Sequence, residues 1–348
     1  MAAQRADSYF WMNGKNNFFD TIQAMKIHVL VTDKLFDTGL ASVLDTFGIA
    51  NELALAEKIA MPAFEVKMIG VRRQVHTAHG LKVPVTLADT AGAADVLLVP
   101  GIGVHMPKSV DEALATAEMV DTVALLRERA ESDQTVMAAA CTGAFLLAST
   151  GLLDGQNATT TWWLGPMFRE RFPEVKLDES RMLVSSGRYI TAGAAMAHLD
   201  LALSLVRRSS PALAALTARY MLADARASQA SYVVPQHLVH SDQMVERFER
   251  WARQRLAQDA QGFSLGDAAA ATGTSERTLA RRLRAVLGKT PLSYFQDLRV
   301  ERAMHLLQSS NDSIDQIASR VGYADGTTLR ALLRRKLGRG VRELRTRE

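Results

Sequence analysis

The sequence predicts two domains of different class: an α/β domain built on a parallel sheet, followed by an all-α domain with two helix-turn-helix units. The chain has 348 residues, about twice the length of an ordinary domain. Short apolar strands alternate with helical stretches from Lys26 to about Arg208, a pattern typical of a parallel sheet covered on both faces. After Asp242 the pattern is helical throughout, interrupted by Gly and Ser, and it indicates no strand.

Within the first domain, each predicted element follows from an apolar run or a helical period. The predicted strands are Lys26–Val31, Phe64–Gly70, Val96–Pro100 and Thr135–Ala140, and the predicted helices are Thr38–Glu57, Asp111–Ser132 and Thr142–Leu152. Two strand ends are rich in small residues, at Pro100–Gly103 and Ala139–Ala144. Function gathers at the carboxyl ends of parallel strands, so we expect a concave site with free backbone amides there.

The expected domain boundaries follow from the same patterns. Residues 1–25 show neither period and predict a disordered extension, residues 26–222 form the sheet domain, residues 223–241 form a linker, and residues 242–348 form the helical domain. Apolar runs are too short for a membrane helix and no secretory signal is evident. The single cysteine excludes an internal disulfide and a cysteine-based zinc site. These features predict a cytoplasmic protein without a membrane, metal or cofactor partner.

The net charge of the chain changes sign at the boundary between the two predicted domains. Residues 241–348 carry 20 Lys and Arg against 13 Asp and Glu, a net charge of +7, whereas residues 1–240 carry 21 against 24, a net charge of −3. A basic domain on a mildly acidic body favours a polyanionic partner for the basic part.

An internal repeat organises the helical domain. Leu279 and Leu329 lie 50 residues apart, as do Gly288 and Gly338. Each unit consists of a short helix, a turn containing Gly and a second helix that opens on Ser or Asp, which is the helix-turn-helix pattern. An amphipathic helix at Leu292–Leu307 joins the two units.

The second helix of each unit has the composition of a DNA-reading helix. In Ser275–Leu287, Leu279 and Leu283 share one face, whereas three arginines lie on the opposite face. Arginine binds guanine through a fork of two hydrogen bonds in the major groove. The predicted DNA contacts are Arg277, Thr278, Arg281 and Arg284 in the first unit and Thr327, Thr328, Arg330 and Arg334 in the second.

The helical domain resembles the tandem helix-turn-helix domain of AraC/XylS-type transcription regulators. The resemblance lies in the segments Ile314–Tyr323 and Thr328–Gly338 and in the connecting helix Asp297–Leu307. The sequence departs from the family at Leu329 and Leu333, where Phe is usual. The resemblance implies double-stranded DNA as a partner, a homodimer, and RNA polymerase as a further candidate partner.

In the first domain, Cys141 ends an apolar strand and precedes a helix, so it sits on a strand-to-helix turn like a nucleophile elbow. The helix amides of Thr142 and Gly143 would favour a thiolate or bind an oxyanion. The segments around Cys141, Gly151–Gly155 and Ala158–Trp162 resemble the class I glutamine-amidotransferase-like, PfpI-type domain, which implies a flavodoxin-like α/β fold. The whole chain resembles the GlxA-type regulators, which fuse these two domains.

The resemblance departs from the related enzymes at the base that activates the cysteine. Thr142 follows Cys141, and Thr161 stands where relatives often have His. Threonine cannot take a proton from a thiol near neutral pH, so we expect no catalytic residue and read Cys141 as a vestigial elbow. Among the histidines, His105 follows the Gly101–Gly103 turn and is a candidate to reach the pocket, but we interpret it, like His28 and His198, as a packed or polar residue.

The sequence thus predicts a DNA-binding transcription regulator that responds to a small-molecule effector bound in the first domain. The candidate effector-binding residues are Asp45, Gly101, Cys141, Thr142, Thr161 and Trp162. Two alternatives remain open: a Cys141-dependent amidase or hydratase, and a thiol-based sensor.

Overall fold

The computed structural model describes residues 24–61, 63–104, 106–131, 134–224, 226, 228–257, 262–338 and 340–345. The predicted extension lies outside these residues except at its last two positions, and Met25 already belongs to the first strand. No helix in this part of the chain is long and apolar enough to cross a membrane.

The first domain contains a seven-stranded sheet in the order β10-β11-β7-β6-β1-β2-β5. The strands are β1 Met25–Leu30, β2 Phe64–Gly70, β3 Gln74–His76, β4 Lys82–Pro84, β5 Thr86–Leu87, β6 Val96–Val99, β7 Val136–Ala140, β8 Asn157–Ala158, β9 Lys176–Leu177, β10 Leu183–Ser186 and β11 Tyr189–Ala192. All neighbours in this sheet pair in parallel except β10 and β11. The predicted parallel sheet is confirmed, while its short outer strands were missed because they lack long apolar runs.

Helices cover both faces of this sheet. They are α1 Asp37–Ala56, α2 Pro107–Leu114, α3 Ala117–Arg129, α4 Gly143–Ala148, α5 Gly165–Arg171, α6 Ala197–Ser209 and α7 Pro211–Tyr220. One core lies between the sheet and α1, α6 and α7, and the other lies between the sheet and α2 to α5. Val96 and Leu98 enter the first core, whereas Leu97 and Val99 enter the second, because successive side chains of a strand point to opposite faces.

Two predicted helices differ from those observed. The single helix expected at Asp111–Ser132 is wrong, because α2 ends at Leu114 and α3 begins after the N-cap Thr116, whose side chain accepts a hydrogen bond from the Met119 amide. Threonine at an N-cap satisfies a free amide at the start of a new helix. The helix expected at Thr142–Leu152 is shorter, since α4 ends at Ala148.

The second domain is helical throughout its described residues. Its helices are α8 Gln243–Ala257, α9 Leu265–Thr272, α10 Glu276–Leu287, α11 Pro291–Ser309, α12 Ile314–Arg320, α13 Gly326–Leu337 and α14 Val341–Arg345. One core joins α8, α9, α10 and the first half of α11, and another joins the second half of α11 to α12, α13 and α14. The predicted helical domain with two repeated units is therefore confirmed.

The segment between the domains packs against both of them. Leu238 belongs to the core of the helical domain, and the next amide, that of Val239, donates a hydrogen bond of 2.9 Å to the Trp163 carbonyl of the sheet domain. Residues 230–232 and 235–237 form short 3-10 turns. This segment therefore lies against both domains along much of its described length.

Candidate functional site

Cys141 lies on a sharp turn between β7 and α4, as the sequence predicts. Its φ of 55° is in the left-handed region, which residues with a Cβ enter only where surrounding contacts hold them. Its amide donates hydrogen bonds to the Ala192 and Gly193 carbonyls, at 3.0 and 2.9 Å. A Cβ on Gly143 would lie 2.4 Å from the Val99 carbonyl oxygen, so the turn also needs glycine two residues after the cysteine.

Four of the predicted effector-binding residues meet around the Cys141 thiol: Gly101, Cys141, Thr142 and Thr161. The hydroxyls of Thr142 and Thr161 and the amides of Thr142 and Ala195 face the sulfur. Gly101 lies so close that a Cβ on it would be 3.1 Å from Cβ of Cys141. Apart from the thiol that it faces, the Thr161 hydroxyl has no hydrogen-bond partner among the described residues.

This site is closed and its backbone amides are largely occupied. Gly101, Cys141, Thr142 and Thr161 are all buried. The amide of Gly101 is bonded to a side chain of α6, and the amide of Cys141 is bonded to the end of β11. The expected concave site with free amides is therefore wrong for this conformation, because the neighbouring strand and helix supply partners for those amides. A ligand would have to displace a segment to enter.

His198, expected from the sequence to be a packed or polar residue, is the side chain that occupies the Gly101 amide. It is fully buried on α6, and its Nε2 lies 2.9 Å from the Gly101 nitrogen, while its Nδ1 contacts the Ala195 carbonyl oxygen. An amide can only donate and a carbonyl can only accept, so Nδ1 carries the proton and Nε2 holds the lone pair. Burial lowers the pKa of His198 to about 4. The ring is therefore neutral with both nitrogens engaged.

The thiol of Cys141 is not activated. Burial raises its pKa, and the opposing hydrogen bonds from the Ala195 and Thr142 amides do not compensate for this. The Thr142 amide favours the thiolate, as expected, but desolvation of the buried sulfur outweighs this contribution. His198 has no free nitrogen to take the proton, and His105 lies outside the described residues.

Asp45 and Trp162, the other two predicted effector-binding residues, lie elsewhere. Asp45 is exposed on α1. It follows Gly39, the α1 residue packed on His198, by six positions, which places it roughly 240° around the helix. Trp162 is half-buried and packs against the core of the helical domain. The structure therefore does not bring either residue to Cys141.

The helical domain presents two equivalent helices, each preceded by a capped turn. Gly273 and Gly322, with φ of 68° and 82°, follow the first helix of each unit, a conformation that favours glycine. Ser275 and Asp325 then cap α10 and α13 by accepting hydrogen bonds from the amides three residues later. The glycines that end α10 and α13 have φ of 67° and 71°. The repeat is thus preserved in backbone conformation.

All the predicted DNA-contacting arginines are exposed: Arg277, Arg281, Arg284, Arg330 and Arg334. Leu279, Leu283, Leu329 and Leu333 form the buried faces of the same helices. The hydroxyls of Thr278 and Thr328 are hydrogen-bonded to the caps, Ser275 and Asp325, and Thr327 is exposed beside them. Each helix therefore offers an uncovered polar face at its N-terminal half, which is the end that enters the major groove in helix-turn-helix proteins.

Comparison with known proteins covers both domains. Residues 25–208 match the DJ-1/PfpI family, and residues 268–347 match a helix-turn-helix domain. The HTH-type transcriptional regulator GbdR of Pseudomonas aeruginosa is 27% identical over 301 residues, which cover 85% of this chain and 77% of that protein.

Further similarities cover smaller shares of the chain. The HTH-type transcriptional regulator GlxA of Rhizobium meliloti is 29% identical over 198 residues, 52% of this chain and 56% of that protein. The crystal structure of a THiJ/PfpI family protein from Pseudomonas syringae aligns with a TM-score of 0.48 and 20% identity, covering 62% of this chain and 83% of that one. The DJ-1/PfpI match spans more than half of the sequence, and the chain therefore belongs to the DJ-1/PfpI family and carries a helix-turn-helix domain after it.

Proposed function

We propose that this chain is a DNA-binding transcription regulator whose DJ-1/PfpI domain senses a small molecule without transforming it. The observation that carries the proposal is the pair of capped helices α10 and α13, whose outer faces present exposed arginines over buried leucines. GbdR and GlxA, which share parts of this sequence, are themselves HTH-type transcriptional regulators.

The DNA contacts proposed for α10 are Arg277, Thr278, Arg281 and Arg284, and those for α13 are Thr327, Thr328, Arg330 and Arg334. Two such helices in one chain would enter successive segments of the major groove, about one helical turn apart. A homodimer would double this site, and RNA polymerase would be the partner through which a bound regulator acts.

The proposed effector site is the cluster of Gly101, Cys141, Thr142 and Thr161, which the structure shows closed. Its polar groups are hydroxyls and the amides of Thr142 and Ala195, which suit a small ligand with a hydrogen-bond acceptor. Neither alternative use of Cys141 is supported by its surroundings. A hydrolase needs a base and a thiol sensor needs an accessible, acidic thiol, whereas this thiol is buried with a raised pKa.

The experiment is selection of duplexes from a random-sequence pool by the full-length chain, followed by binding measurements at increasing salt. We expect an enriched site with two recognisable elements about one helical turn apart, and affinity that falls steeply with salt. Arg281→Ala should weaken binding, whereas Arg73→Ala, at an exposed arginine of the sheet domain, should not. No enrichment at low salt with a folded chain would refute the proposal.

A second arm concerns the effector. Thermal unfolding of the full-length chain is followed with a panel of small metabolites, because a ligand at 100-fold its Kd adds about 2.7 kcal/mol to the free energy of unfolding. A hit should lose its effect in Thr161→Val, which removes the hydroxyl that faces the thiol and preserves the volume of the side chain.

A further inference from the structure

Gln229, in the segment between the domains, inserts its side chain into the sheet domain. The residue is 1% exposed. Its Oε1 accepts a hydrogen bond of 3.2 Å from the Ala194 amide, and its Nε2 donates to the Thr160 carbonyl at 2.9 Å and to Oγ1 of Thr159 at 3.2 Å. Nε2 also lies 3.3 Å from the carbonyl oxygen of Arg181. The carboxamide thus has partners on both its oxygen and its nitrogen.

The slot that holds this carboxamide is shaped for it. A Cβ on Gly193 would lie 2.5 Å from Oε1 of Gln229, so only glycine at that position leaves room for the side chain. The nitrogen end of the slot is lined by the carbonyl oxygens of Thr160 and Arg181. Because carbonyl oxygens only accept hydrogen bonds, the slot suits an amide and opposes a carboxylate of the same shape.

The walls of this slot are the residues that hold the Cys141 turn. The Thr160 hydroxyl donates a hydrogen bond of 2.8 Å to the Cys141 carbonyl. The Cys141 amide in turn donates to the Gly193 carbonyl at 2.9 Å, and the amide of Ala195, one residue beyond Ala194, faces the thiol. A ligand that displaces Thr160 or residues 193–195 beside Cys141 would therefore move groups that bind Gln229.

Along the chain, Gln229 is followed by a turn that lies beside the second DNA-reading helix, α13. Its carbonyl accepts a hydrogen bond of 2.9 Å from the Tyr232 amide, which closes the 3-10 turn Ala230–Tyr232. Helix α13 lies beside this turn. The segment is also tied to the sheet domain by the Gln229 amide, which donates to the Ser180 carbonyl at 2.9 Å.

Helix α10 contacts the sheet domain through a different residue. Nη1 of Arg169 donates a hydrogen bond of 3.0 Å to the Val286 carbonyl near the end of α10. Nη2 of the same guanidinium is bonded to Glu179 at 2.7 Å. Helix α10 is thus bonded to the sheet domain through Arg169, whereas α13 lies beside the turn that follows Gln229.

We propose that Gln229 is a latch that couples the Cys141 site to α13. When the carboxamide is seated, residues 228–232 hold α13 against the sheet domain. When a ligand displaces Thr160 or the 193–195 turn, the carboxamide leaves its slot and α13 is released, while α10 stays with Arg169. The role of this latch in ligand response rests on the proposed function. The coupling between the seated Gln229 side chain and α13 does not depend on it.

The test is hydrogen exchange of the full-length chain without DNA, comparing the wild type with Gln229→Glu. The substitution keeps the shape of the side chain but places a carboxylate oxygen against the Thr160 and Arg181 carbonyls. Loss of a buried hydrogen bond corresponds to roughly tenfold in an opening equilibrium, so we expect amides of 230–232 and of α13 to exchange roughly tenfold faster. Those of α10 should be unchanged. Gln74→Glu, at an exposed position of β3, is the matched control and should change neither helix.

A second variant reaches the latch from the Cys141 side. Thr160→Val removes the hydroxyl bonded to the Cys141 carbonyl and leaves the Thr160 carbonyl available to Gln229. We expect faster exchange in 230–232 and in α13 in this variant too, again without a change in α10. If Gln229→Glu does not fold, Gln229→Ala removes the carboxamide without adding a charge and carries the same expectation.

Three results would overturn the proposal. In the first, the amides of 230–232 keep their protection from exchange in the Gln229 variants. In the second, these amides lose protection but those of α13 do not, and in the third, the amides of α10 and α13 lose protection equally. The last result would mean a general loss of stability. Hydrogen exchange is measured without DNA, so it can support the latch even if the duplex selection finds no DNA site. Conversely, the selection can find a DNA site even if the exchange results contradict the latch. The two proposals are therefore tested separately.

Discussion

The Gly101 amide and Nε2 of His198 are joined by a hydrogen bond of 2.9 Å in the closed interior of the DJ-1/PfpI domain. With Nδ1 turned to the Ala195 carbonyl oxygen, the imidazole bridges the end of β6 and the turn before α6. The His198 ring, next to Cys141, therefore links two backbone segments by hydrogen bonds. Its Nε2 lone pair is occupied by the Gly101 amide and is not free for proton transfer.

This arrangement predicts a pH dependence of stability. The pKa of His198 is lowered from 6.5 to about 4 by burial, so between these values the unfolded chain binds a proton that the folded chain does not. Stability should be lost as pH falls from about 6.5 towards 4, by about 3 kcal/mol for this group. We expect His198→Gln to show a smaller loss than the wild type in denaturant titrations across this range.

His305→Gln, which changes an exposed histidine, is the control and should retain the acid sensitivity of the wild type. Identical pH profiles for the wild type and His198→Gln would contradict the assignment of a buried neutral ring.

Replacing glycine by alanine should have opposite effects on stability at a closely packed position and at an open position inside a helix. A Cβ on Gly101 would meet Cβ of Cys141 at 3.1 Å and Oγ1 of Thr142 at 3.3 Å, so Gly101→Ala should lower the free energy of unfolding by about 1–3 kcal/mol. Gly48, inside α1, has nothing within 4 Å of such a Cβ. Gly48→Ala should therefore raise stability by about 0.5–1 kcal/mol. Chemical denaturation of both variants measures the two changes in the free energy of unfolding. Changes of the same sign and size in the two variants would contradict this prediction.

The single thiol should be unreactive while the chain is folded. Cys141 is 3% exposed and its pKa is raised by burial, so an alkylating reagent requires local opening. We expect labelling, followed by intact mass, to be at least roughly a hundredfold slower than in denaturant. Cys141→Ser should leave DNA binding unchanged. Rapid labelling under native conditions would instead favour a thiol-based sensor.

The two DNA-reading helices should contribute unequally to specificity. Ala331 occupies the position in α13 that Arg281 occupies in α10, and both are exposed. A methyl group can contact a thymine methyl but cannot form a fork on guanine. Arg281→Ala should cost about 1–3 kcal/mol of binding free energy and relax preference within one half of the site.

Arg334, near the end of α13, is better placed for a phosphate. Arg334→Ala should weaken binding to all sequences alike and reduce the salt slope by about one unit. The measurement is the affinity of the Arg281→Ala and Arg334→Ala proteins for the selected duplex and for duplexes that carry single-base changes. Equal losses of specificity, or stronger base preference in the half read by α13, would show that this asymmetry is wrong.

Local sequence patterns were sufficient to predict the two domains, the parallel sheet, the repeated helical units and the sharp turn at Cys141. These features depend on local patterns, namely apolar runs, the 50-residue repeat and the capping residues Ser275 and Asp325, and such patterns are visible in neighbouring residues. The division between α2 and α3 was also locally encoded by Thr116, but it was masked by the continuous helical period on either side.

The surroundings of Cys141 and the contacts of Trp162 and Gln229 depend on long-range packing and could not be predicted from the sequence. His198 reaches Gly101 from 97 residues away, and Gln229 reaches Thr160 from 69 residues away. Such contacts depend on how helices and loops pack on the sheet, which no short-range period encodes. The same reason explains the state of the thiol, because its pKa depends on desolvation by residues that meet only when the chain is folded.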